Sequence, residues 1–543
     1  MNSAPTRRRL LESLGALVPA AAFPWDSLPD APPASSDESY AAVIIGSGLG
    51  GLSAAAAFAR KGYRALVLEQ HDKPGGYATA FRRPGGFTFD VSLHSMGVGE
   101  RNGVRNLIGS FPEITEVEFV PHPHLYRAIF PNHDVSVPQR DIPAYIRQLA
   151  DSFPEERPGI EALVADMRAM NSEIGRLSRA AGKVDMRTFP QEFPTLFRHS
   201  DHTWGQLVDS RLRDSKLKAI FSALWLYYGL PPSKLSSFYY AVPTLGYLED
   251  GGFYPKGRSQ AISDALVKFI QARGGRVLVN TRVEKILAEG DAATGVRCAG
   301  GQEFRARAVI SNASAPQTFG SLLDDSPAAR EYRGRIAGYS SSLSCFQVFL
   351  GLKRDLAGLL GVKDSEIFLE SGYDPEASYE AMRRAEVERG GVAVTIYDNL
   401  YPGYSPKGKN TLNVLTLQGF EHWEQFERDY RAGRKAAYRA EKERMASILI
   451  RRVEEALLPG LAKAIEVKEI GTPLTNLRYT GNTRGAIYGW DQTVSNSGNR
   501  RVGHATTVKN LYIAGAWSAP GHGYGAVLAS GPNCFAEIVR DWG

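Results

Sequence analysis

The 543-residue sequence predicts an α/β protein. Its main sheet is expected to be parallel and drawn from three separated stretches of chain, with an α+β domain inserted between them. Three observations predict this. The run Ala41-Ala42-Val43-Ile44-Ile45 is uniformly apolar, as a strand covered on both faces must be, and glycines and a helix-forming run follow at once. A second apolar run, Ala308-Val309-Ile310, ends in Ser311-Asn312-Ala313. A third, Leu511-Tyr512-Ile513, ends near Gly515 and leads to a last helical segment. A chain of this length buries more than one core, so two interleaved domains are expected.

The chain opens outside that fold. Thr6-Arg7-Arg8-Arg9-Leu10-Leu11 precedes a modest apolar run over residues 14–23, broken by Pro19 and containing the small residues Ala20-Ala21-Ala22. Paired arginines, an apolar run and small residues in that order resemble a twin-arginine export signal, so a periplasmic or exported protein is expected. Glu12 counts against this, and a basic tail on a cytoplasmic or membrane-peripheral protein is the alternative. The run is shorter than the ~20 apolar residues that span a bilayer. Residues 24–39 are rich in Pro, Ala, Ser and Asp and read as a linker, which makes residues 1–39 signal plus linker.

Gly46-Ser47-Gly48-Leu49-Gly50-Gly51 follows the first strand and sets Gly46, Gly48 and Gly51 at the three positions of G-x-G-x-x-G. The first glycine permits a tight turn. The second lets backbone approach a pyrophosphate, and the third lets the next helix lie close to the strand. That helix runs through Leu52-Ser53-Ala54-Ala55 toward Gly62, and its N-terminal N–H groups and dipole favour phosphate charge. A second strand over residues 64–68 ends in Glu69, 18 residues beyond Gly51, where an acid accepts hydrogen bonds from an adenosine ribose. A glycine motif alone is weak evidence; strand, turn, helix, strand and terminal acid in order are much stronger. They do not choose between NAD and FAD.

The following blocks make that choice. Lys73-Pro74-Gly75-Gly76-Tyr77-Ala78-Thr79 comes next, then Gly86-Phe87-Thr88-Phe89-Asp90. They resemble the second FAD signature of the carotenoid desaturase, carotenoid isomerase and retinol saturase family of FAD-dependent oxidoreductases. The resemblance implies a Rossmann-like, glutathione-reductase-type FAD domain. In it, Gly75 and Gly76 bring backbone close to the flavin nucleotide, and the first motif, Glu69, Gln70, Tyr77, Ala78 and Thr79 complete that part of the cofactor site. Many members have Asp-x-Gly after the aromatic pair, whereas this chain has Asp90-Val91-Ser92. His94 falls where retinol saturases carry a histidine, and an ordinary half-buried histidine is an equal reading.

Gly251-Gly252-Phe253-Tyr254-Pro255-Lys256-Gly257 leads into a helix whose Ile262, Ala265, Leu266, Phe269 and Ile270 share one face, and Gly274-Gly275 ends it. Strand Val277-Leu278-Val279 and then Thr281-Arg282-Val283 follow; the resemblance implies that the backbone at Val283 contacts the adenine. The C-terminal Gly515-Ala516-Trp517 and Pro520-Gly521-His522-Gly523-Tyr524-Gly525-Ala526-Val527 match the family segment that faces the flavin ring, where a helix N-terminus stabilises negative charge on reduced flavin. Gly515, Ala516, Tyr524, Gly525, Ala526 and Val527 are the contacts expected there. Tyr479-Thr480-Gly481-Asn482-Thr483-Arg484-Gly485-Ala486-Ile487-Tyr488-Gly489 also looks like this family. The FAD-binding domain is expected at 40–125, 248–315 and 500–543, and the substrate-binding domain at 126–247 and 316–499.

In the inserted part, Phe221, Leu224, Trp225, Tyr227, Tyr228, Phe238, Tyr239 and Tyr240 crowd a short window. Together they read as an aromatic wall for a long apolar substrate; any single one reads as core. The highly charged residues 424–458 read as one long surface helix. Gly403-Tyr404-Ser405-Pro406-Lys407-Gly408-Lys409-Asn410 nearly matches a phosphate loop, but Asn410 lacks the metal-binding hydroxyl and Thr411-Leu412-Asn413-Val414-Leu415 reads as strand. His122-Pro123-His124 has no carboxylate or cysteine cluster beside it and reads as loop, so no metal is expected. The three cysteines, Cys298, Cys345 and Cys534, have no ligand spacing and read as buried small hydrophobes.

Composition narrows the function. Charged residues are 22% and hydrophobic residues 43%, as in globular proteins. The net charge of +6 is spread without a run of five or six basic residues, which argues against nucleic acid and allows only weak peripheral attraction to anionic lipid. The expectation is an FAD-dependent oxidoreductase acting on carbon–carbon bonds of an apolar polyene, retinoid or lipid by desaturation, saturation or isomerisation, with the flavin carrying the redox step. The electron acceptor stays open. Candidate residues near the chemistry are His94, Tyr254, Trp490 and His522. One rival is a flavin amine oxidase with Tyr488 and Trp490 as an aromatic cage. Another is a non-catalytic lipid carrier on the same fold, against which the intact glycine motifs argue.

Overall fold

A computed structural model describes residues 23–32, 40–100, 102–179, 184–185 and 187–542. The paired arginines and the apolar run up to residue 22 lie outside the described residues.

The first strand, Tyr40–Ile45, lies at the centre of a seven-stranded sheet. It pairs in parallel with Ala65–Leu68 on one side and Glu303–Ser311 on the other. Arg276–Leu278 extends one flank and Leu511–Ile513 the other, both in parallel. Alternation explains why this strand has no polar side chain from Ala41 to Ile45. Ala42 and Ile44 join a core with Leu52 and Phe58 of the helix Leu49–Arg60, while Val43 and Ile45 join a different core with Phe319 and Tyr332. Both faces are therefore covered. Glu303–Ser311 does two jobs: its first residues close an antiparallel meander with Ala292–Cys298 and Val283–Glu289, and from Ala306 onward it runs beside the first strand.

A second sheet, also of seven strands, has the order Ile465–Gly471, Ser344–Leu352, Asn410–Gln418, Val392–Thr395, Glu366–Leu369, Tyr126–Phe130, His133–Val137. Its pairs are antiparallel except Glu366–Leu369 with Tyr126–Phe130. The near-match to a phosphate loop thus leads into a strand, as its sequence predicts. Helices 157–179 and Ser237–Asp250 form a further layer around Trp204, which is fully buried, stacks on Tyr240 at 4.1 Å and donates from Nε1 to Ser222 Oγ at 2.9 Å.

Two sequence expectations are corrected. The charged stretch is not one surface helix but two, Glu421–Arg431 and Ala436–Ala456, divided where Gly433 takes a φ of +80°. Trp423, Tyr438, Met445, Leu449 and Val453 are buried against the second sheet, so the charges occupy only the outer face. The supposed linker is packed where it is described. Trp25 and Leu28 are buried, Trp25 Nε1 donates to Ser110 Oγ at 2.9 Å, and the Ala31 N–H donates to the Lys61 carbonyl at 2.8 Å. Low-complexity composition hid two apolar anchors. Among the described residues no helix is long and apolar enough to cross a membrane.

Candidate functional site

The two sheets and the helices between them line a cavity of about 2480 Å³. Pockets for one ligand run to about 300–1,000 Å³, so there is room for a nucleotide cofactor and a second long molecule.

The cradle at the first sheet is built by close backbone approaches. Gly46 has a φ of +90° and donates its N–H to the Leu68 carbonyl at 2.8 Å, which turns the chain off the strand. A Cβ on Gly51 would lie 2.2 Å from the Gly46 carbonyl oxygen, so only glycine permits this turn-to-helix contact. Glu69 does more than wait for a ribose. Its Oε2 accepts from the Ser47 N–H at 2.9 Å and Ser47 Oγ at 2.5 Å, and its Oε1 accepts from the His71 N–H at 3.0 Å. A carboxylate offers about four acceptor sites, so three are used and capacity for a ribose hydroxyl remains. The second motif rests on the first: the Gly75 N–H lies 3.0 Å from the Ser47 carbonyl and 3.1 Å from its hydroxyl.

The residues read from sequence mostly meet on this cavity. Gly46, Gly48, Leu49, Gly50, Glu69, Gln70, Gly75, Gly76, Tyr77, Ala78 and Val283 line it, as do Gly515, Ala516 and the Tyr524-Gly525-Ala526-Val527 turn that starts the last helix, Tyr524–Asp541. Ser47, Gly51 and Thr79 stand behind that wall. Tyr77 and His522 also line it, and each keeps a buried polar atom (Oη and Nε2) with no partner among the described residues. Glycine approaches, a carboxyl with spare acceptor capacity and orphaned polar atoms fit a bound flavin nucleotide.

Several contributors were not singled out from sequence. Asn312 caps the return strand; its Nδ2 donates to the Ala514 carbonyl at 2.9 Å, and its Oδ1 lies 2.6 Å from where a Cβ on Gly48 would stand. It thereby locks three loops of the cradle together. Arg501 is buried behind residues 516–518 and donates to the backbone carbonyls of Ser518 at 2.8 Å and Ala516 at 2.5 Å. Burial pushes its pKa down to about 10, and neighbouring Tyr239, Tyr339 and Asp491 only partly oppose this. Its donors brace the loop rather than face a ligand.

On the inserted side the aromatic window splits. Tyr227, Tyr228, Phe238 and Tyr239 line the cavity while packing with the core, whereas Phe221, Leu224, Trp225 and Tyr240 lie in the core without reaching the cavity wall. His94 lines the cavity too, with 17% of its side chain exposed, and its Nδ1 lies 3.2 Å from Oε2 of the fully buried Glu366. Tyr227 donates to the same oxygen at 3.0 Å. Burial alone would lower the His94 pKa; the charge and hydrogen bond of Glu366, with the charge of Asp90, outweigh it and raise the pKa. His522 behaves oppositely. Burial, helped by the Arg501 charge, takes its pKa down to about 3, so it is neutral. Its ring stacks on Tyr488 at 4.4 Å.

Tyr254 and Trp490 stand apart from the cavity wall. Tyr254 is fully buried and donates to Asp90 Oδ2 at 2.6 Å; Asp90 also accepts from the Ser259 N–H and hydroxyl, both at 2.7 Å. Trp490 packs edge-on against Trp517 at 4.8 Å and Tyr339 at 5.6 Å. His122 and His124 bond to Ser365 Oγ and Asp364 Oδ1, each at 2.7 Å.

Comparison with known proteins adds to this geometry. The profile of the family "Flavin containing amine oxidoreductase" matches residues 49–531. A chloroplastic prolycopene isomerase from an Oncidium hybrid cultivar is 29% identical over 516 residues, covering 93% of this chain and 85% of that protein. An all-trans-retinol 13,14-reductase from Danio rerio is 28% identical over 512 residues, covering 88% and 82%. The solved structure of a putrescine oxidase bound to putrescine superposes with a TM-score of 0.59 at 14% identity, covering 92% of this chain and 99% of that one, which shows a shared fold.

Proposed function

The chain belongs to the flavin containing amine oxidoreductase family, and we propose that it is an FAD-dependent enzyme that transforms carbon–carbon double bonds of a polyene or retinoid by desaturation, saturation or isomerisation. The observation that carries this reading is a single cavity that joins the glycine cradle of the parallel sheet to an aromatic wall of the inserted part. A long apolar chain gains ~0.8 kcal/mol per buried CH₂ against such a wall and needs no charged anchor. The relatives named as a prolycopene isomerase and a retinol reductase support the same substrate class.

In this reading Glu69, the Gly46–Gly51 turn, Gly75 and Gly76 hold the nucleotide, Val283 meets the adenine, and Gly515, Ala516 and the residue 524–527 turn face the flavin. Bound flavin supplies hydride or electron transfer at carbon. The protein orients the polyene and excludes water. The family name invites an amine oxidase, but the site argues otherwise. Tyr488 and His522 pack face to face at 4.4 Å, so no amine fits between them, and Trp490 is turned into the core beside Trp517. The test is cofactor and product analysis. Purified protein should release FAD on denaturation and should change the mass or isomer composition of added carotenes or retinoids. Colourless protein that takes up no FAD, or flavoprotein that turns over only amines, contradicts the proposal.

A further inference from the structure

One polar group on the cavity wall is not accounted for by cofactor binding. His94 has its Nδ1 engaged by Glu366 Oε2 at 3.2 Å, and Glu366 has no side-chain exposure and accepts from Tyr227 through the same oxygen at 3.0 Å. The remaining ring nitrogen, Nε2, has no hydrogen-bond partner among the described residues and is not a sealed atom like Nε2 of His122 or His522. It is the nitrogen that the half-buried ring turns to the cavity. Leu93, Met96, Tyr227, Tyr247 and Leu415 line the same cavity, as do the polar Ser92, Ser95 and Gln347. The Tyr247 hydroxyl, which donates to the Ser95 carbonyl at 3.1 Å, makes no hydrogen bond to His94 Nε2.

We propose that His94, set by Glu366 and Tyr227, is a recognition site for an oxygen atom on the substrate, so that the enzyme selects an oxygen-bearing polyene (an alcohol, aldehyde or carboxylate) over a pure hydrocarbon. This rests on the polyene reading above. The physical reason is an asymmetry of cost. With Nδ1–H donated to Glu366, Nε2 is fixed in direction: it accepts a hydrogen bond on the neutral ring and donates one on the charged ring, and a ligand hydroxyl can meet it in either state. A ligand oxygen satisfies it, whereas a hydrocarbon in the same place strips its water and leaves it unpaired. A positively charged ring, which the Glu366 contact favours, makes that loss larger. Sites built to bond a substrate hydroxyl therefore reject the analogue that lacks it far better than apolar pockets reject an extra group.

The test uses flavin-loaded enzyme and two probes of one length: all-trans-retinol, and axerophthene, in which a methyl group replaces the terminal CH₂OH. Binding is read from quenching of ligand fluorescence and perturbation of the flavin spectrum, without turnover. The wild type should bind the alcohol about ten- to a hundredfold more tightly, the value of one hydrogen bond to a charged group. His94→Phe should bring the alcohol down to the affinity of the hydrocarbon. Glu366→Gln, which keeps the volume and removes the charge, should shrink the preference, and it decides the matter if His94→Phe fails to load flavin. Equal binding of the two probes by wild type, or a preference that survives in His94→Phe or is unchanged in Glu366→Gln, overturns the assignment while leaving the polyene reading in place. Binding of neither probe by an enzyme whose flavin is reduced by amines overturns the polyene reading and this assignment with it.

Discussion

Removing the Glu69 carboxyl should weaken FAD binding and loosen the turn that receives it. The structure gives the terms. Glu69 accepts two bonds from Ser47 and one from the His71 N–H, and it keeps capacity for the ribose. Each hydrogen bond to a charged group is worth about 1.5–3 kcal/mol, so losing the ribose contact alone raises the FAD dissociation constant about ten- to a hundredfold. Glu69→Ala also orphans the buried Ser47 N–H at a cost of about 1–3 kcal/mol, which falls on folding as well as binding. Glu69→Gln retains one acceptor oxygen and the volume, so it should lie between wild type and alanine. The assay is titration of apoprotein with FAD by flavin fluorescence quenching, with thermal unfolding of the apoprotein alongside. If Glu69→Ala binds FAD like wild type, the carboxyl is not at the ribose. If apoprotein stability is also unchanged, the turn does not depend on it either.

Three further outcomes are expected. Gly51→Ala places a methyl 2.2 Å from the Gly46 carbonyl oxygen, and overpacking of this kind costs about 1–3 kcal/mol; lower thermal stability and lost flavin should follow, and a variant with normal flavin content and melting temperature contradicts the cradle geometry. His94 faces Glu366, Tyr227 and Asp90, with His122 held neutral beside it by burial and by the His94 charge, which take its pKa down to about 3. Because the folded pKa of His94 is raised, the stability of its charged form is fully present below the ordinary histidine value and is lost as pH rises through the raised one; NMR titration of the ring should show this, with Glu366→Gln moving the midpoint down, and an unshifted midpoint in that variant contradicts the pairing. Residues 6–22 are proposed as a twin-arginine signal, so changing Arg7 and Arg8 together to Lys should retain the protein inside the cell, whereas a wild type found wholly in the cytoplasm refutes the signal.

The parts of the site legible in sequence are those set by neighbours in the chain. Strand, glycine turn, helix and terminal acid are close together, and each has one physical task, so residues 41–69 read directly. Contacts between distant residues did not. His94 meets Glu366 across 272 positions, and nothing local marks Glu366 as anything but a polar residue at a strand start. Asn312 was visible only as the end of a strand; its bonds depend on where Ala514 arrives. The aromatic window does not divide from sequence alone, since the neighbours Tyr239 and Tyr240 are both buried in one core and only Tyr239 also reaches the cavity wall. The linker and the long helix were misread because composition outweighed a few anchors, Trp25 and Leu28 in one and Trp423, Met445 and Leu449 in the other.

The most direct test of the account is an anaerobic stopped-flow panel followed at the flavin absorption bands. Long polyenes and retinoids form one class and polyamines and amino acids the other, each mixed with oxidised enzyme and with enzyme reduced by dithionite. The account predicts that a polyene perturbs or reduces the oxidised flavin, or reoxidises or is isomerised by the reduced one, while amines leave both spectra unchanged. Rapid reduction of the oxidised flavin by an amine, with hydrogen peroxide formed when air is readmitted, contradicts it.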